Sequence, residues 1–69
     1  MKNVFENVPD DEMRFLYEQI LAGRDTALRP RCMDPYIHQV MQLFPLTFGQ
    51  AWRSAEQMFF EEIAKRYFK

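Results

Sequence analysis

Residues 46–68 read LTFGQAWRSAEQMFFEEIAKRYF, and this stretch decides the fold. Thr47 followed three residues later by Gln50 is a capping box: the hydroxyl accepts from the backbone N–H of residue 50 while the amide side chain reaches back to the N–H of residue 47. Two donors that no helical carbonyl can serve are thereby paired. Leu46, one position earlier, is placed to staple against Ala51. No proline or glycine interrupts the chain after Gly49. Glu61/Lys65 and Glu62/Arg66 stand four apart in the favourable acid-first order, and Lys65 and Arg66 complement the negative end of the helix dipole. The expectation is one long helix over 48–67. At about 100° per residue, Phe48, Ala51, Trp52, Ala55, Phe59 and Ile63 share an arc of about 120°, the width of an ordinary core stripe.

Upstream, Pro45 forbids helical geometry at Phe44 and ends a shorter helix over about 35–43. Asp34-Pro35 opens that helix with an N-cap residue type followed by proline, and Ile37, Val40, Met41 and Phe44 mark its apolar face. A third start lies at Val8-Pro9-Asp10-Asp11-Glu12. Proline suits a first helical turn, three carboxylates face the positive end of the dipole, and Asn7 or Val8 is expected at the cap. Met13, Leu16, Tyr17, Ile20 and Leu21 then recur with helical spacing, and Gly23 supplies the stop, giving a helix over 9–22.

No stretch alternates with period two and no Asn-Gly or Asp-Gly hairpin dipeptide occurs, so strands have no support. The fold class is all-α: a small three-helix bundle whose long C-terminal helix is covered by the other two. With 69 residues, residues 1–69 form one helical domain, with residues 1–7 as an N-terminal arm and 23–33 as a basic connector. A composition of 48% apolar and 16% aromatic residues is wrong for intrinsic disorder. The longest apolar runs are three residues, far short of the roughly 20 that span a bilayer. The first residues lack the apolar core of a secretory signal, and Lys2 stands where myristoylation needs glycine. A single cysteine, Cys32, allows no internal disulfide. A cytoplasmic protein with no membrane contact is expected.

Several apolar residues fall outside the core stripes. Phe60, Ala64 and Phe68 lie off the stripe of the C-terminal helix, Tyr67 lies between the two sets, and Met58 sits at the stripe's edge. Phe15 points nearly opposite the Met13/Leu16/Tyr17/Ile20 face. Two readings account for them. Either Val4, Phe5 and the connector fold over Phe60 and Phe68, or Phe15, Phe60, Ala64, Tyr67 and Phe68 form a face that binds a protein partner, most simply a second copy of the chain.

Chemistry has little foothold. Cys32, Asp34 and His38 cluster near the second helix start, but one cysteine and one histidine fall short of the four ligands a zinc site wants, so no metal is expected. Dipole complementation accounts for Asp10-Asp11-Glu12 without catalytic carboxylates. With two glycines in the chain there is no phosphate-cradling loop. Neither an enzyme, a cofactor nor a small-molecule substrate is expected. Charge is segregated: Arg24, Arg29 and Arg31 against Asp25 give the connector +2, while residues 10–23 carry −3. Arg24, Arg29 and Arg31, with Arg14 one helical face away, are therefore the candidates for nucleic-acid or anion contact. The short helix, the turn and the long helix have the coarse outline of a helix-turn-helix, but the net charge of −1 and a largely apolar first turn, Phe48 to Trp52, in its recognition helix weigh against that reading. The leading expectation is a non-enzymatic protein acting through protein–protein contact, as a homodimer or an accessory subunit. A nucleic-acid-binding accessory protein is the alternative.

Overall fold

A computed structural model describes residues 3–24 and 30–68, the side chain of Arg24 excepted. Helix α1 spans Asp10–Arg24, a 3₁₀ turn over Arg31–Met33 leads directly into α2, Asp34–Leu43, and α3 spans Phe48–Tyr67. The architecture is all-α, with three helices and no strand among the described residues. No helix there is long and apolar enough to cross a membrane.

The capping box at the start of α3 is complete. Thr47 Oγ1 accepts from Gln50 N at 3.3 Å, and Gln50 Oε1 accepts from Thr47 N at 3.0 Å. Phe44, held extended by the proline after it, ends α2 with φ −137° and ψ 146°.

Elsewhere the helix boundaries depart from expectation for identifiable reasons. Pro9 precedes α1 rather than opening it: its carbonyl accepts from Met13 N at 3.0 Å, so Pro9 holds the cap position expected of Asn7 or Val8. Gly23 does not stop α1, which runs on to Arg24. Asp34 lies inside α2 instead of capping it, because the 3₁₀ turn already puts Met33 in helical geometry, with φ −82° and ψ −14°. Of the two acid-first pairs on α3, Glu62–Arg66 forms. Glu61 accepts from Gln57 Nε2 instead of pairing with Lys65.

The core joins Met13, Leu16 and Ile20 of α1 to Met33, Ile37 and Val40 around the second helix and to Ala51, Ala55, Met58 and Phe59 of α3. Two shifts correct the helical-wheel reading. On α1 the buried stripe narrows to Met13, Leu16 and Ile20, leaving Tyr17 and Leu21 as exposed flanks. On α3 it rotates toward Met58 and Glu62, so that Phe48, Trp52 and Ile63 become its half-buried border.

The rotation follows from what covers α3 on that side. Residues 4–7 form a turn that folds inward and drives Phe5 into the core. Its ring lies 4.6 Å from Tyr36 and 5.3 Å, edge-on, from Phe59. Asn3 clamps the turn from both ends: Oδ1 accepts from Phe5 N and Nδ2 donates to the Met58 carbonyl, each at 2.8 Å. The N-terminal segment is thus part of the core and does not lie over Phe68.

Phe5→Ala should lower unfolding stability by about 3–5 kcal/mol, because a fully buried ring leaves a cavity its neighbours fill only in part. Phe15→Ala should stay within about 0.5 kcal/mol. Urea denaturation followed by circular dichroism measures both. A loss under about 1 kcal/mol for Phe5→Ala would mean that the turn does not anchor the fold.

Candidate functional site

The first turns of α1 and the last turns of α3 border a groove of about 600 Å³. Arg14 and Tyr17 line one side, Ile63, Tyr67 and Phe68 the other, and Asp10 and Asp11 one end. Its apolar walls follow from the two wheel corrections, since Tyr17 and Ile63 are the flanking residues of their stripes. Tyr17 also meets Phe60 edge-on at 6.4 Å.

One guanidinium fixes the end of the groove. Arg66 Nε donates to Glu62 Oε2 at 2.7 Å and Nη1 donates to Asp10 Oδ1 at 3.0 Å. Nη2 donates to the carbonyls of Phe5 and Glu6, both at 3.1 Å. The hydrogen bond to Glu62, above all, pushes the Arg66 pKa up further. Tyr67 donates its hydroxyl to the same Asp10 oxygen at 2.9 Å, which raises the phenol's pKa. Asp10 is therefore committed. Asp11 and Arg14, both exposed, have no ion-pair partner among the described residues.

The five residues expected to bind a partner divide. Phe15 and Tyr67 are each 51% exposed and Phe68 is 76% exposed, and Ala64 is exposed as well. Phe60 is only half-buried surface, packed against the core between Tyr17 and Phe59. Tyr67 and Phe68 line the groove, whereas Phe15 lies around α1 from it. Of the arginines, Arg14 lines the groove and Arg31 is exposed at the start of the 3₁₀ turn. Arg29 and the side chain of Arg24 lie outside the described residues.

The cluster at Cys32 does not assemble. His38 is exposed and edge-on to Phe48 at 6.0 Å. Burial pushes the half-buried Cys32 thiol up in pKa, with Asp34 adding to the effect, and both work against a reactive thiolate. Among the described residues no three His, Cys, Asp or Glu side chains come together as metal ligands.

Two features escaped the sequence reading. Glu62 is 5% exposed, a carboxylate inside an apolar face. The signal was available, since the wheel puts residue 62 between Ala55 and Met58. Tyr36, in turn, donates its hydroxyl to Glu12 Oε1 at 3.1 Å, across 24 residues, and no local pattern points to that bond. The bond floors a second depression of about 490 Å³ rimmed by Asn7, Gln39 and Gln42.

Two predictions follow from these bonds. Arg66→Met strands the buried Glu62 carboxylate and should cost about 3–5 kcal/mol in urea denaturation. The exposed Arg53→Met should cost no more than about 0.5 kcal/mol. Burial, aided by the Glu12 carboxylate, raises the Tyr36 pKa to about 12. Between the ordinary tyrosine value of about 10 and that value, the unfolded chain has lost a proton that the native state keeps, so stability falls as pH rises through this window. Ultraviolet titration should show a late tyrosinate step that Tyr36→Phe removes. Persistence of that step in the variant would reassign it.

No protein-family model, curated protein or solved structure matches this chain.

Proposed function

We propose that this chain is a small non-enzymatic, cytoplasmic protein that works by protein–protein contact, with the outer side of α1 and the last turn of α3 as its docking face. The observation that carries the reading is the uncovered set of rings there: Tyr67 and Phe68 on the apolar groove, and Phe15 around α1 from it. Covering a large apolar side chain is worth about 1.5–3 kcal/mol, so three rings provide a useful part of the several kcal/mol that association costs. A standard interface takes about 800 Å² from each partner. That is roughly one sixth of the 5022 Å² surface and within reach of this face. At its end Asp10 is already engaged by Arg66 and Tyr67, which spares a partner the cost of desolvating that carboxylate, while the exposed Asp11 and Arg14 are left for the partner's own polar groups.

A photo-crosslinking residue placed at position 68 in the full chain, in the cell that makes it, should form adducts with a protein, either this chain or another. The same probe at the exposed His38 of α2, beside Phe48 at the far end of α3, should form far fewer. Equal labelling at both positions, or none at 68, would overturn the reading.

A further inference from the structure

The second depression, of about 490 Å³, opens where the N-terminal turn, the first turn of α1 and the outer face of α2 meet, and it shares no lining residue with the groove. Its floor is the bond from the buried Tyr36 hydroxyl to Glu12 Oε1. That bond takes up one oxygen and fixes the carboxylate's orientation, while Oε2 accepts nothing among the described residues. The side-chain amides of Asn7, Gln39 and Gln42 stand around it, exposed and likewise engaged by no bond among the described residues. Val8, Pro9 and Leu43 supply an apolar wall. No basic residue among the described ones lines the depression, so the Glu12 carboxylate sets its charge.

We infer that this depression binds a guanidinium carried on an aliphatic stem, the side chain of arginine, with Glu12 as its counter-charge. A free carboxylate oxygen ringed by amide oxygens calls for a cation rich in N–H donors. A hard metal ion is a poor match, because calcium takes about six to eight oxygens, usually with several carboxylates among them, and a single carboxylate stands here. An ammonium gathers its donors on one strongly hydrated point, whereas these acceptors are spread around a rim. A guanidinium fans its donors out in a plane and sheds water more readily, so it serves a carboxylate and amide oxygens at the same time. Its stem finds the wall of Val8 and Leu43, as arginine stems cover apolar surface elsewhere. Tyr36 has a positioning role: its hydroxyl holds the carboxylate ready, so that less ordering remains to be done on binding. Because the rim is open to water, affinity is low, with a Kd on the order of 1–10 mM.

The test is a nuclear magnetic resonance titration of the full chain with two compounds, free arginine and arginine blocked by acetyl and methylamide groups as it would be within a chain. Backbone amide signals of residues 7, 12, 39 and 42 should shift saturably, while those of residues 63–68 at the groove stay in place. Tighter binding of the blocked compound assigns the site to an arginine of a partner chain and tighter binding of free arginine to the amino acid itself; either supports the inference. Glu12→Gln keeps an acceptor for the Tyr36 hydroxyl but removes the charge, and should weaken binding about fivefold or more. Gln42→Ala should weaken it about twofold to threefold. Circular dichroism should show equal helix content in both variants. Blocked lysine should bind at least about threefold more weakly than blocked arginine. No saturable shift up to about 50 mM, shifts centred on the groove, an affinity indifferent to Glu12→Gln, or lysine held as tightly as arginine would each overturn the assignment.

Discussion

The guanidinium of Arg66 holds this fold together. It joins two stretches of the chain that are far apart in sequence: Glu62, one turn back on its own helix, and the N-terminal stretch, through Asp10 at the start of α1 and the carbonyls of Phe5 and Glu6 in the turn before it. A planar fork with a fixed donor geometry can do this where a lysine could not. The need for it comes from Glu62, which is buried among apolar neighbours. An uncompensated carboxylate there would cost about 3–5 kcal/mol. Proteins of this length have a total margin of only about 3–10 kcal/mol at 0.05–0.15 kcal/mol per residue.

The docking face is a consequence of that arrangement. Because Asp10 receives both Arg66 and Tyr67, the last turn of α3 is pinned beside the first turn of α1. Because Phe5 is drawn between Tyr36 and Phe59, the N-terminal turn is spent on the core and covers none of the rings at that edge. The backbone approaches most closely between α2 and α3, while α1 stands further off α3. Tyr17, Ile63 and Tyr67 line the gap without closing it.

Local signals were legible and long-range ones were not. Thr47 and Gln50 gave α3 its exact start because a capping box is a matter of four adjacent residues, and Pro45 set the end of α2 for the same reason. Pro9 and Gly23 misplaced the ends of α1 by one or two residues, since both residues are tolerated just outside or just inside a helix. The wheel separated Phe15 and Phe68 from the core and left Tyr67 between the two sets, and all three are exposed. It misplaced Tyr17, Trp52 and Phe60 because a wheel gives direction and not the width of the covering surface. The destination of Phe5 and the bond from Tyr36 to Glu12 depend on contacts across tens of residues, which periodicity does not carry.

The central claim is that the outer side of α1 and the end of α3 are a contact surface in the working protein. Amide hydrogen exchange, measured residue by residue on the dilute purified chain and on the chain in concentrated extract of the cell that makes it, tests it most directly. The account predicts that protection rises in the extract over the exposed half of α1 and the last turn of α3 while α2 stays unchanged. Equal exchange under both conditions, or a gain centred on α2, would contradict it.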